Sequence, residues 1–218
     1  WGGRGPDIQW EISRARVAAW VESRGKLPPT LVVTGYVAAS PDGVPTTLGR
    51  NGSDFSASIF GSLFEAAEIH IWTDVDGVMS ANPRLVPDAV LLEELSYSEA
   101  MELAYFGAKV IHPQTMAPAV EGSIPIYIRN TSNPTHPGTR IHVQGSSKFA
   151  VKGFATIESV ALVNVEGTGM IGVPGTAHRL FGALRDAGVS VVVISQGSSE
   201  HSICFAVPGR LGARARGG

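Results

Sequence analysis

Carboxylates, hydroxyls and a guanidinium gather in short polar stretches that follow apolar runs. The clearest is Trp72-Thr73-Asp74-Val75-Asp76-Gly77-Val78. The apolar run from Ile69 to Trp72 ends there in a turn with two acids and a glycine, and a cation, Lys109, follows after a helical stretch. A loop at the end of a strand with a distant lysine is how many α/β proteins hold a nucleotide. Thr73 would offer a hydroxyl, Asp74 and Asp76 carboxylates, and the turn its backbone. The plainer reading is an ordinary strand-to-loop turn, because Asp and Gly are turn residues anyway.

Three further patches carry the same ambiguity. The run Thr46-Thr47-Leu48-Gly49-Arg50-Asn51-Gly52-Ser53-Asp54 sets glycines and polar groups just before a helix. A helix N-terminus attracts anions through its unpaired N–H groups and its dipole, and Arg50 could grip a carboxylate with two parallel bonds. The alternative is a capped helix with Ser53 or Asp54 as N-cap. Arg84, after Asn82-Pro83, meets phosphate or is a solvated loop charge; Lys109 at a helix end suits the dipole with or without a ligand. Gly167 to Gly175 is glycine-rich but lacks the Gly-Lys-Ser/Thr ending of a phosphate loop, so it permits an anion or amino-acid site, or a tight structural turn.

The elements that must position these groups alternate. Trp10 and Trp20, with Glu11, Arg14 and Arg16, fit a first helix. Thr30 to Thr34 is a β-branched run ending at Gly35 and reads as a buried strand. Asp54 to Ala67, with Phe55, Ile59 and Leu63 on one face, reads as an amphipathic helix. Ile69 to Thr73 is a strand. Ser96 with Glu99 is a capping-box pattern opening a helix to about Ala108, and Ile124 to Arg129 is another strand. Strands separated by helices predict a mostly parallel sheet covered on both faces. Turn residues crowd Asn133-Pro134, His136-Pro137-Gly138 and Gly145-Ser146-Ser147-Lys148, which places a linker at residues 143–152 between segments 1–142 and 153–208. The second segment reads as a strand over Val160 to Val165 and a helix opening at Thr176 with Ala177, Leu180, Phe181 and Leu184 on one face. Gly188 is a stop, and strands follow over Val189 to Ile194 and Ser202 to Val207. That is β-α-β-β, the opening of a β-α-β-β-α-β unit. The tail 209–218, of Gly, Arg and Ala around one Leu, is expected to be disordered.

Composition sets bounds. The chain has 218 residues, 44% of them hydrophobic, which suits a globular protein with a core. The net charge of -2 brings no basic stripe, so nucleic acid is not the expected partner. No apolar run approaches the roughly 18–20 residues of a membrane helix, so no membrane is expected either. The first residues show neither Met nor a signal-type apolar region. The lone Cys204, in an alternating apolar run, reads as a packed thiol in a reducing compartment. The six histidines lack metal-ligand spacing, so no metal site is expected.

Together the patches resemble the aspartokinase family from about Thr30 to Pro208. The matching words are Thr34-Gly35-Tyr36, Thr47 to Asp54, Trp72 to Gly77, Asn82-Pro83-Arg84, and the long run Glu102-Leu103-Ala104-Tyr105-Phe106-Gly107-Ala108-Lys109-Val110-Ile111-His112-Pro113. Val165 to Met170 and Ile194 to Ser202 resemble the first ACT regulatory domain of that family, most closely in its threonine-sensitive branch fused to homoserine dehydrogenase. The resemblance implies an amino-acid-kinase-type fold (its C-terminal, ATP-binding half) followed by a partial ACT domain. It also implies the reaction ATP plus L-aspartate to ADP plus 4-phospho-L-aspartate, the first step toward threonine, methionine, isoleucine and lysine. By that analogy Arg50 holds the aspartate carboxylate, Tyr36 and Ser53 line its pocket, and Asp54 orients a catalytic lysine of the N-terminal lobe. Thr73 and Asp74 contact the adenosine side of ATP, Met79 packs the purine, and Arg84 and Lys109 meet nucleotide or phosphate. Mg²⁺ comes with the ATP, without a dedicated protein cage. Phosphoryl transfer needs positioning and positive charge more than a base, and the acceptor carboxylate is already nucleophilic at neutral pH.

On the same resemblance, Asn164, Met170 and Gln196 belong to an effector site, for threonine first and lysine second, and ACT units pair into a homodimer. Three positions depart from the family: Met79 stands where an aromatic is usual, Asn82 where aspartate is, and Asn51 where glycine is common. The family's Lys-Phe-Gly-Gly segment is absent, so the chain is expected to be a fragment, inactive alone. Two other classes stay open: a non-catalytic amino-acid-sensing module, and a related kinase acting on another acid such as glutamate, against which the long run to Pro113 argues. A bacterial cytoplasm and a plant or algal plastid both fit.

Overall fold

Ile69 and Ile71 on one strand face Ile126 and Ile128 on the next, and this apolar pairing organises the first part of the protein. The computed structural model describes residues 6–105, 110, 112–146, 149–167, 173–196 and 202–217. They form two compact units, Trp1–Thr156 and Ile157–Gly218.

In the first unit the elements run α1 (Trp10–Arg24), β1 (Val37–Ala39), β2 (Pro45–Thr47), α2 (Gly52–Leu63), β3 (Ile69–Thr73), β4 (Glu94–Ser96), α3 (Tyr97–Tyr105), α4 (Pro113–Glu121), β5 (Ile126–Asn130) and β6 (Thr139–His142). The main sheet has the order β3-β5-β6-β4; β3 runs parallel to β5 and β4 to β6, while β5 and β6 are antiparallel. One face of it is apolar and packs on α3 and α4 through Tyr97, Ala100, Met116 and Ala119. The Tyr97 hydroxyl donates to Ile124 O at 2.6 Å, so this buried polar tip is satisfied.

The helix ends follow from local chemistry. Ser96 and Glu99 make both bonds of a capping box: Ser96 N donates to Glu99 Oε2 at 2.7 Å and Glu99 N to Ser96 Oγ at 3.2 Å. Helix α2 stops at Leu63 rather than running to Ala67, because Glu65 turns left-handed (φ 50°) and Ala66 N closes back on Gly61 O. Helix α4 ends the same way, with Ser123 at φ 54° and Ile124 N on Ala119 O. Ile124 is therefore spent on the helix stop, and β5 begins two residues later than the sequence suggests. The end of the expected α3, from Phe106 to Ala108, lies outside the described residues.

The run Thr30–Thr34 is not a strand. Val32 is 91% exposed, and none of the described strands pairs with this run. β-branched residues favour a strand only where a neighbour takes up the backbone N–H and C=O groups. The turn-rich stretch before the second unit is also no free linker. Lys152 Nζ lies 2.7 Å from both Glu99 carboxylate oxygens, and Phe154 N donates to Ser80 O at 2.7 Å. Burial alone would raise the Glu99 carboxyl, but the bonds from Lys152 and Ser96 outweigh it and hold the group below its ordinary value.

The second unit contains β7 (Val160–Glu166), α5 (Thr176–Asp186), β8 (Val193–Gln196), β9 (Ser202–Pro208) and α6 (Gly212–Gly217). Its antiparallel sheet has the order β7-β9-β8. Ile203, Phe205 and Val207 on β9 pack against Leu184, Leu180 and Phe181 of α5, with Phe181 edge-on to Phe205 at 6.3 Å. Gly188, at φ 67°, ends α5, and Val189 N closes on Leu184 O, so β8 starts later than Val189. Cys204 is a half-buried free thiol on the opposite face of the sheet. The tail is not disordered: residues 209–211 form a 3-10 turn and α6 follows, with Ala215 buried. Its lack of bulk is the reason. A Cβ on Gly212 would lie 2.6 Å from the Ala161 Cβ, so glycine lets this helix lie against β7.

Gly138 precedes β6 at φ 77°, where a Cβ would fall 2.0 Å from Ile128 O. We expect Gly138→Ala to destabilise the chain by about 3 kcal/mol or more, read from the shift of its urea midpoint.

Candidate nucleotide site and substrate cradle

Two clusters of polar groups stand in the first unit. The first surrounds the start of α2. Gly49 takes φ 76° and Asn51 φ 57°, and Asn51 rather than Ser53 or Asp54 is the N-cap, with no side-chain cap bond. Gly52 N turns back on Gly49 O at 3.1 Å, and with no cap bond from the Asn51 side chain the next N–H groups of α2 face outward, as an anion site at a helix N-terminus requires. Tyr36, left-handed at φ 73°, donates its N–H to Ser56 Oγ at 2.8 Å, and Ser56 passes its own proton to Gly52 O at 2.8 Å. Leu48 N returns to Tyr36 O at 2.8 Å. A Cβ on Gly52 would meet the Tyr36 ring at 2.8 Å, so the glycine seats that ring over the helix start. Tyr36, Arg50 and Ser53 are exposed around this point, whereas Asp54 is half-buried and burial pushes its carboxyl up from the ordinary value.

The second cluster is the loop leaving β3. Thr73 Oγ1 donates to Asp74 Oδ1 at 3.1 Å, and Asp74 is exposed. Asp76 is tied to the neighbouring loop: its Oδ1 accepts from Asn130 Nδ2 at 2.9 Å and Asn133 Nδ2 at 3.2 Å. Those two bonds are the main cause of a carboxyl held below its ordinary value, with His136 adding a smaller electrostatic pull. Val78 N donates to the Thr139 hydroxyl at 2.8 Å, and that hydroxyl donates on to Leu92 O at 2.7 Å. Gly77 is required here, because a Cβ would stand 2.4 Å from Thr139 Oγ1. Beyond it, Met79 bridges Leu91, and Ser80 exchanges bonds with Val90. The hairpin so formed presents Arg84 at its exposed turn, where Arg84 N donates to Asn82 Oδ1 at 3.1 Å. Asn82 thus supplies the acceptor an aspartate would supply.

Thr73, Asp74, Met79 and Arg84 therefore share one loop-and-hairpin segment, and Tyr36, Arg50, Ser53 and Asp54 gather at the start of α2. Lys109 and Met170 lie outside the described residues. The second unit does not bring Asn164 and Gln196 together. Asn164 is in register with Cys204 and Ser195, and Gln196 with Ile203, so the two leave opposite faces of the sheet. The two-residue period of a strand is the reason. On its outward face Asn164 bonds Glu166. Sequence reasoning passed over Asn130, Thr131, Asn133 and Thr139, treating the stretch around Asn133-Pro134 as punctuation. The available signal was a polar string directly after a buried strand that pairs with the acid-bearing one.

Comparison with known proteins places the chain in a family. The pattern of the amino acid kinase family matches residues 4–130, and that of an ACT domain matches residues 163–216. The chain belongs to the amino acid kinase family, with an ACT domain after the kinase fold. More particularly, it is homologous to the aspartokinase part of bifunctional aspartokinase/homoserine dehydrogenases. It is 58% identical over 184 residues to the chloroplastic bifunctional aspartokinase/homoserine dehydrogenase 1 of Zea mays, covering 82% of this chain and 20% of that protein. The chain therefore spans about a fifth of that relative's length. Among solved structures it is similar to E. coli aspartokinase III in complex with aspartate and ADP (TM-score 0.76, 30% identity, 93% of this chain and 44% of that one). The same enzyme in complex with lysine and aspartate gives a TM-score of 0.65 at 30% identity, over 94% of this chain and 45% of that one.

Two outcomes follow from the site. Because folding raises the Asp54 pKa, its charge at neutral pH costs stability, and that cost appears as pH rises through the folded value. Asp54→Asn should unfold at a higher temperature than the parent at pH 7, with the gap closing as the pH falls toward the ordinary carboxyl value of 3.8. Thr139→Val keeps the volume but orphans the buried Val78 N–H and Leu92 O. It should destabilise by about 2–4 kcal/mol in urea titration, and Thr139→Ser by much less.

Proposed function

We propose that this chain is the nucleotide-binding half of an aspartate kinase, joined to an amino-acid-sensing ACT unit. The reaction is ATP plus L-aspartate to ADP plus 4-phospho-L-aspartate, at the head of threonine, methionine, isoleucine and lysine synthesis. The observation that carries this reading is the shape of the Thr73–Gly77 loop. It leaves the carboxyl end of a strand in a parallel pair, is braced on both sides, and exposes the Asp74 carboxylate, with the Thr73 hydroxyl bonded to it, at its rim. The similarity to an aspartokinase that binds aspartate and ADP supports it.

In this reading Thr73 and Asp74 meet the adenosine, Met79 packs the base, and Arg84 and Lys109 offset phosphate charge. Arg50, Tyr36 and Ser53 hold L-aspartate at the uncapped start of α2, and Asp54 orients a lysine. Among the described residues no three His, Cys, Asp or Glu side chains cluster to hold a metal. Mg²⁺ fits as the companion of the nucleotide, held by phosphates and water with at most a carboxylate such as Asp74. When bound, it offsets charge on the transferring phosphoryl group.

The chain alone binds nucleotide but does not turn over. Arg50, Tyr36 and Ser53 are exposed, and an apolar cleft lined by Val17, Trp20, Val32, Val33, Phe60 and Phe64 lies open beside the unpaired Thr30–Thr34 run. Aspartate-dependent hydroxamate formation by the pure chain would overturn this. In the complete protein the ACT unit senses threonine, or lysine, near Gln196, and pairs with a second copy through the exposed strand β8. No helix among the described residues is long and apolar enough to cross a membrane, and a plastid stroma is the proposed location, by analogy with the maize relative.

Titration calorimetry of the chain with Mg-ATP is the test. Binding is expected, and the Arg84→Ala/Lys109→Ala double variant should weaken it by about tenfold or more. A folded chain that takes up no nucleotide would remove the reading that this half holds ATP by itself.

A further inference from the structure

The ladder between β3 and β5 ends at the pair Thr73 and Asn130. Beyond that pair the two loops stay together only through specific bonds. Thr131 gives both its N–H (2.9 Å) and its hydroxyl (3.1 Å) to Thr73 O. Asn130 Oδ1 accepts from Ser132 N at 2.8 Å, which fixes the amide so that its Nδ2 faces Asp76. Asn133 is held in turn by its own N–H on Asn130 O at 3.2 Å and by His136 N on its carbonyl at 3.1 Å. The result is one carboxylate oxygen with two amide donors aimed at it from a pre-shaped loop. Asp76 Oδ1 takes two amide donors from the neighbouring loop, whereas the exposed carboxylate of Asp74, two residues earlier, takes only the hydroxyl of the adjacent Thr73 among the bonds described.

We propose that Asn130 and Asn133 are positioning residues for the nucleotide, acting through Asp76 to hold the Thr73–Gly77 loop in its binding shape. The inference rests on the nucleotide reading of that loop given above. A loop of five residues left to itself samples many shapes, and a ligand must then offset the entropy of ordering it. With the far end pinned at Asp76 and the near end at Thr73 O, that ordering is complete before the nucleotide arrives. The charge on Asp76 strengthens both bonds relative to neutral pairs. An alternative duty, in which the asparagines only tie off a surface turn, would leave nucleotide affinity untouched.

The test is calorimetry of the whole 218-residue chain with Mg-ADP, beside its thermal unfolding. Asn130→Ala and Asn133→Ala should each weaken Mg-ADP by about tenfold, with the ligand-free unfolding midpoint shifted by only a few degrees. Asp76→Ala should weaken Mg-ADP to a similar extent, and adding Asn130→Ala or Asn133→Ala to it should cost little more, because both amides act through that one carboxylate oxygen. If the parent binds and both alanine variants bind equally well, the positioning role is wrong and the nucleotide reading stands. If the singles weaken binding but their effects add in full to that of Asp76→Ala, the asparagines act otherwise than through Asp76 and the proposal fails. If the folded parent takes up no Mg-ADP, the nucleotide reading itself falls, and this inference with it.

Discussion

Parallel pairing of β3 with β5 is the constraint on which the first unit depends. It sets the Ile69 and Ile71 row against Ile126 and Ile128, and so creates the apolar face that α3 and α4 cover. The same pairing has a chemical effect. Parallel strands send the loops from their carboxyl ends out at one edge, so the acid-bearing Thr73–Gly77 turn and the amide-bearing Asn130–Asn133 turn emerge as neighbours. An antiparallel arrangement would have put them at opposite ends. The β6 strand, antiparallel to β5, then brings the start of its own run, Thr139, to that edge as a third support.

Local signals in the chain were faithful where the structure they specify is local. The strand Ile69–Thr73 was legible to the residue, both capping-box bonds of Ser96 and Glu99 were legible from their spacing, and Gly188 stops its helix as its type suggests. What was not legible depended on partners distant in sequence. Thr30–Thr34 has strand composition but no strand beside it. The glycine- and arginine-rich tail has only Leu211 and Ala215 to pack, yet it folds because Gly212, without a Cβ, can lie close against Ala161. The loop at Glu65 and the one at Ser123 take left-handed turns at residues that give no warning of it.

The candidate site divides along the same line. Thr73, Asp74, Arg84 and Arg50 could be named from their types and neighbours, and Tyr36 only through the family resemblance. Asn130 and Asn133 could not, because their meaning lies in a carboxylate more than fifty positions away in the chain. The proposed effector residues show the converse failure. Asn164 and Gln196 both lie on outer strands, but the register of β7, β9 and β8 turns them to opposite faces. A sequence reading that ignores strand parity groups residues that the sheet keeps apart.

The Lys152–Glu99 pair gives the protein a built-in reporter. The Lys152 side chain is only 10% exposed, because its ammonium is held by the same carboxylate that caps α3. Trypsin must draw a lysine out of such a pocket before cutting after it. Cleavage at that bond therefore proceeds no faster than the pair opens, and its rate becomes a clock for release of the segment from the first unit. Anything that frays the start of α3, or pulls on the chain beyond Phe154, is converted into a difference in fragment yield visible on a gel.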